Sequence, residues 1–487
     1  MSYEDKDLIA QARAYADEVW EDVVQDIDFL VQVQSVEDKP HASAGKPFGP
    51  GPREALDRAL QIANRLGLEC HDCDGYVGYA DLEGKSKAYI ATIAHSDIVP
   101  LGDGWTVEPL RVTRKDGYLL GRGVLDDKGP LVLSLYAAHF FVRKLREDAE
   151  KLPYTLRCIV GTNEETGMED VEYYLKSFPE PVFCFTPDAV FPLICGEKGR
   201  FFAEVSSPTV RGDDARIVEL EGGTVANAVP GSAQAIVRAS LASLAPCEGI
   251  QIEPAGSDAK SELVKIRAIG KGGHASMPEG TTNAIGLLVE YLVDKSLCND
   301  EERAFLAFVQ TLMADTAGEA LGIAAQDDVF DPLTCVGGTL RTKRDGGLVR
   351  FVQTMDVRYP KSTSGDNILA QITRVAKRNG CSVDKSDNMH PFYMDPESSE
   401  VQTLLGTYNQ MTGRNDRAIT IGGGTYARHF ARAVAFGPDN MDEDKPSWVG
   451  MEHGPDEGVS EQSLKQALAI YIVSLARLMR LSPLPCK

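Results

Sequence analysis

Short apolar runs recur along this chain, each closed by a polar cluster and most followed by a helical pattern. That rhythm restricts the fold more than any other feature. Residues 88–94 form an apolar run that ends in His95-Ser96-Asp97. Residues 118–120 lead into a glycine-rich stretch, 121–129, that contains Asp126-Asp127. Residues 155–160 run on to Asn163-Glu164-Glu165-Thr166-Gly167, and residues 182–185 to Thr186-Pro187-Asp188. Helical stripes are expected over 5–36, 53–66 and 129–145. Alternation of this kind predicts an α/β domain whose mixed, mostly parallel sheet is flanked by helices.

Near residue 200 the pattern changes to period-two strands (264–269, 336–341, 351–358) mixed with helices (283–293, 301–313, 367–378). After Pro391 the first rhythm returns, with a helix at 400–411, strands at 418–421 and 433–436, and a last amphipathic helix over 464–481. The economical architecture is one catalytic domain in two parts, 1–198 and 389–487, interrupted by an α+β lid domain at 199–388.

The 487 residues carry 50 Lys plus Arg against 72 Asp plus Glu, a formal charge of −22. An acidic surface of this kind argues against nucleic acid and against anionic membranes as partners. The start of the chain is polar, without a basic n-region or an apolar h-region, so no export signal is expected. The ten cysteines are scattered, several in apolar runs, which predicts a reduced, cytoplasmic setting. Cys70 and Cys73 form a lone CxxC with no second ligand pair, and are read as loop cysteines.

In open α/β sheets, ligands bind beyond the carboxyl ends of strands. The acids and histidines of this chain fall there, and Glu452-His453-Gly454-Pro455 adds another histidine near the end. Each piece alone has an ordinary explanation: a capping Asp beside a satisfied histidine, a solvated Glu-Glu at a helix start, a Pro-Asp turn, a loop histidine. In this order, each after an apolar run, they predict a shared rim of two histidines and at least five carboxylates. Such a rim needs cations, and imidazole with carboxylate and no thiolate suits zinc, manganese or cobalt rather than a structural zinc cage.

With these residues in place, the chain resembles the aminoacylase and carnosinase clan of co-catalytic metallopeptidases. The likeness lies in residues 95–100, 121–129, 164–167, Pro187-Asp188 and His453-Gly454-Pro455. Segments 47–56, 195–199 and 421–428 resemble its PepV-type dipeptidase branch. The resemblance implies two divalent metal ions, His95 and Asp188 holding one, Glu165 and His453 the other, with Asp126 bridging. It implies a cis peptide after Asp126, an orienting role for Asp97 on His95, and Glu164 as general base toward a water between the metals. In the lid, His274 of the segment 270–276 would stabilise the oxyanion, where the bland reading is a flexible loop with Ser276 capping a helix. Asn227 would assist, Arg358 would clamp the substrate's C-terminal carboxylate, and Gly424 would offer backbone contacts. The implied activity is hydrolysis of dipeptides by a monomer, because a lid of this length replaces what a partner subunit supplies in dimeric relatives. Deacylation of N-acyl amino acids, carboxypeptidase action on longer peptides, or a non-catalytic binding role are the alternatives.

Overall fold

A computed structural model describes residues 5–148, 150–255, 262–440 and 442–481. Residues 1–4, where the N-terminal reading begins, lie outside them. Two compact units emerge: residues 1–196, 393–419 and 424–487, and residues 197–392 with 420–423.

The first unit is built on a nine-stranded mixed sheet. Its centre is parallel: Tyr154–Gly161, Ser86–His95, Phe183–Thr186 and Ala433–Ala435 lie side by side. Antiparallel strands flank it, with Val77–Leu82 and Glu69–Cys73 on one side and Ile194–Glu197 on the other. The central strands are buried nearly throughout, which is why they read as continuous apolar runs rather than alternating ones. Helix Pro50–Arg65 packs on one face, where a side chain at Gly78 would meet Leu56 and Leu60. The opposite face holds Arg157, paired with Asp81 at 2.8 and 2.7 Å and stacked on Tyr79 and Tyr89 at 3.7 and 4.5 Å.

The long N-terminal stripe is two helices, Asp5–Glu18 and Trp20–Val31, interrupted at Val19 and ending earlier than the apolar pattern. Cys70 and Cys73 sit on the edge strand Glu69–Cys73 rather than in a loop, and both are free thiols. No helix among the described residues is long and apolar enough to cross a membrane.

The second unit has its own antiparallel sheet, in the order Ile250–Pro254, Leu263–Ile269, Ser232–Arg238, Ile217–Gly222, Thr334–Asp345, Leu348–Tyr359, Gly199–Ser206 and Ser382–Met389. Its two halves meet at Gly222 and Leu340. Helices Ala284–Asp294, Asp300–Met313 and Gly365–Arg378 contribute Leu288, Leu292, Phe305, Phe308 and Ile372 to a separate core. The α/β architecture interrupted by an α+β insert is therefore the observed one.

Candidate metal centre

Parallel pairing of the central strands puts their carboxyl ends on one edge of the sheet, with His95 in register with Gly161. His95, the last residue of its strand, is fully buried. Its Nε2 lies 3.0 Å from Asp126 Oδ1 and 3.6 Å from Asp188 Oδ2. His453 Nε2 reaches the other oxygen of Asp126 at 2.9 Å and Glu165 Oε2 at 3.2 Å. Asp126 thus touches both imidazoles. Two triads have ligand atoms within 4.8 Å of one another: His95 with Glu164 and Asp188, and His95 with Asp126 and Glu165. The structure brings together the five expected ligands and Glu164, and the Asp126–Asp127 peptide is cis.

Several side chains hang the loops in place. Asp97 Oδ1 and Oδ2 accept the backbone N–H groups of Glu164 and Glu165, each at 3.2 Å. The nearest Asp97 atom to His95 Nδ1 is its carbonyl oxygen at 3.1 Å, with the carboxylate at 3.4 Å. Asp97 therefore grips the Glu164-Glu165 turn as well as facing the histidine. Asp170 accepts from Thr162 and Asn163 N–H at 2.7 and 3.0 Å and from the Tyr426 hydroxyl. Tyr426 comes so close that a side chain at Gly161 would overlap its hydroxyl, which explains that glycine at the strand end. Asp127 Oδ2 accepts the backbone N–H of His95 at 2.9 Å, and Lys128 turns its ammonium to the Val33 carbonyl at 2.7 Å.

The electrostatics are those of crowded acids. Burial, then the charge of Asp126, pushes Asp188 up to about 7. Burial and Asp126 raise Glu165, and burial and Asp188 raise Glu164 well above the usual carboxyl range. Asp126 goes the other way: burial pushes it up, but hydrogen bonds from His453 and His95 outweigh that and hold it low. Hydrogen bonds to Asp126 and then Glu165 push His453 up to about 11. Glu165 Oε1 is buried without a hydrogen-bond partner among the described residues. Two imidazoles, several repelling carboxylates and an orphaned buried oxygen make a donor set that fits divalent cations.

Asn227, His274 and Arg358 belong to the second unit. Ala228 pairs with His274 across two short strands, and Ala275 N–H donates to the Asn227 carbonyl at 3.0 Å, so Asn227 and His274 are neighbours. No helix follows directly; the next one starts at Ala284, capped by Asn283. Ser276 instead meets His274 Nδ1 through its hydroxyl at 2.7 Å and its N–H at 3.3 Å. Arg358 is 5% exposed and paired with Asp356, Nε to Oδ1 at 2.6 Å and Nη2 to Oδ2 at 3.2 Å. Its Nη1 donates to the Gly422 carbonyl at 2.9 Å, and a side chain at Gly422 would press on Ser276. Gly424 lies half-buried in the first unit, between strand Ile419–Ile421 and the turn Tyr426–His429. Sequence reasoning missed Arg122, Asp170, Tyr426 and Glu457, buried polar residues whose partners lie elsewhere in the chain. A signal existed for Glu457, an acid directly before the apolar Gly458–Ser460 strand and four residues after His453.

Comparison with known proteins follows the same lines. The family described as "Peptidase family M20/M25/M40" matches residues 91–477. Two bacterial relatives each carry the name "Putative dipeptidase". That of Staphylococcus haemolyticus is 31% identical over 471 residues, covering 93% of this chain and 96% of its own. That of Bacillus subtilis, YtjP, is 29% identical over 466 residues, covering 94% and 97%. Among solved structures, human carnosine dipeptidase 1 superposes with a TM-score of 0.60 at 15% identity, covering 97% of this chain and 99% of that one. The Saccharomyces cerevisiae dipeptidase Dug1p does so with a TM-score of 0.57 at 12% identity, covering 97% and 99%. At such identities the structural likeness concerns the fold alone.

Proposed function

The chain belongs to the peptidase family M20/M25/M40, a family of metal-dependent hydrolases, and from that premise we propose that it is a dipeptidase acting on dipeptides with a free C-terminal carboxylate. The observation that carries this reading is the convergence of His95, Asp126, Glu164, Glu165, Asp188 and His453 beyond the carboxyl ends of the central strands. The names of the two bacterial relatives support the substrate class.

In this reading His95 and Asp188 hold one divalent cation, Glu165 and His453 a second, and Asp126 both; zinc, manganese and cobalt all suit the donors. When bound, the cations supply Lewis-acid activation of water and of the scissile carbonyl. Glu164 receives the proton of the attacking water and returns it to the leaving amine. Its neighbour Glu165 serves as a ligand, and Asp97 fixes both through their backbone N–H groups. His274, with Asn227 beside it, donates to the oxyanion. Arg358 spends three N–H groups on Asp356 and Gly422, leaving one on each Nη to receive the substrate carboxylate. Asp356 keeps that guanidinium oriented. The chain works as a monomer in the cytoplasm.

The test is a panel on metal-stripped enzyme refilled with zinc, manganese or cobalt in turn. Dipeptides should be cleaved in preference to N-acetylated amino acids and tripeptides. Glu164→Ala should lower kcat by about 10²-fold or more with metal content unchanged. Dominant turnover of N-acyl substrates, or an undiminished Glu164→Ala enzyme, would replace this reading.

A further inference from the structure

Behind the proposed ligands lies an ion pair that the mechanism above does not use. Arg122 and Glu457 are 1% and 0% exposed, and Arg122 Nη1 donates to Glu457 Oε2 at 2.5 Å. The other oxygen of Glu457 accepts three backbone N–H groups, from Gly123, Leu125 and Asp126, at 2.9, 3.1 and 3.2 Å. Arg122 Nη2 donates to the carbonyl of His453 at 3.1 Å and to that of Leu101 at 3.3 Å, and the Trp105 ring stacks on the guanidinium at 5.1 Å. We propose that the Arg122–Glu457 pair is the positioning device of one cation pocket, locking the backbone of His453 to the backbone of Asp126. The inference rests on the reading of these two residues as ligands.

Three observations carry it. First, the two residues joined through their backbones also meet through their side chains, His453 Nε2 to Asp126 Oδ2 at 2.9 Å. Second, His453 has φ 63° and Asp456 has φ 53°, left-handed conformations that a non-glycine residue holds only where its surroundings enforce them. The enforcing contacts are present: Arg122 on the His453 carbonyl, and Asp456 accepting from Thr106 N–H and Oγ, both at 2.8 Å, and from Val107 N–H at 3.3 Å. Third, a buried ion pair is a poor choice for stability alone, since apolar residues of similar volume often serve as well or better. Here the charges do what apolar groups cannot, gathering two carbonyls and three amides around a fixed point. Partners behind metal ligands usually act on ligand side chains; these act on ligand main chains.

The experiment titrates the metal-free chain with zinc against a chromophoric chelator, for the wild type, Glu457→Gln and Arg122→Lys. Arg157→Lys serves as a control that disturbs a half-buried ion pair, with Asp81, which touches none of the proposed ligands. Circular dichroism and thermal unfolding of the metal-free forms accompany each titration. Glu457→Gln and Arg122→Lys should bind one of the two ions about 10–100-fold less tightly, and the other, which shares only Asp126 with that pocket, should weaken less. Dipeptidase activity should return as zinc is raised, with KM near the wild-type value. Arg157→Lys should lose stability without this asymmetry. Two wild-type affinities in both variants, or equal weakening of both ions no greater than in the control, would overturn the proposal. Should Arg122→Lys not fold, Glu457→Gln decides alone. A wild-type chain that takes up no ion overturns the reading of the site, and the inference with it.

Discussion

Burial keeps His429 neutral where an exposed histidine would titrate. Its ring sits against Met168, Nε2 to Sδ at 3.2 Å, and burial followed by the charge of Arg428 pushes its pKa down to about 4. Above pH 6.5 the ring is neutral in both folded and unfolded chains and contributes no pH dependence. As pH falls from 6.5 toward 4, the unfolded chain takes up a proton that the folded chain refuses, so stability declines. The loss amounts to at most about 3.5 kcal/mol, from ~1.4 kcal/mol per pH unit. Urea unfolding of wild type and His429→Phe at pH 7, 6, 5 and 4 tests this, because the carboxylates common to both cancel in the difference. The wild type should lose ground steadily to the variant below pH 6.5; parallel curves would show that the histidine is not held neutral.

Helix Asp300–Met313 shows how an element's start can be written in sequence. Asn299 accepts the N–H of Glu302 and Glu302 accepts that of Asn299, both at 2.8 Å, a reciprocal cap. Glu302 also accepts Ile217 N–H at 2.9 Å, so the cap fastens the helix to strand Ile217–Gly222. Asn299→Ala should destabilise the second unit by about 1 kcal/mol. Glu302→Ala should do more damage, about 1–3 kcal/mol, because it also orphans a buried strand amide. Equal thermal shifts for the two variants would mean that the strand contact adds nothing.

The central strands of the first sheet were legible within a few residues because burial on both faces writes a continuous apolar run. The edge strand Glu69–Cys73 was not: its sequence, Glu-Cys-His-Asp-Cys, has one neighbour strand and little to bury. The break at Val19 was hidden because Val19 is itself buried and continues the stripe. Among site residues, those that follow strand ends could be found from order alone. The pairing of Arg122 with Glu457 could not, since they are 335 positions apart and only the folded chain makes them partners.

The two units have separate sheets and separate cores, and the proposed cations belong to one of them alone. A ligand that binds only the folded form stabilises it by RT ln(1 + [L]/Kd), about 2.7 kcal/mol at a hundredfold excess over Kd. Two divalent cations would also offset part of the −22 charge where acids repel one another most, at Asp188, Glu164 and Glu165. Stripping the metal should therefore act locally. In calorimetry of the whole chain, chelation should lower the transition of the first unit, and the shift should grow with the logarithm of free zinc on refilling. The transition of the second unit, whose core rests on Leu288, Phe305 and Ile372, should stay where it was. Asn299→Ala assigns the transitions, because it should move the second and spare the first. Metal that shifted both alike would mean that the ions do not belong to the first unit alone, or that the two unfold as a single cooperative block.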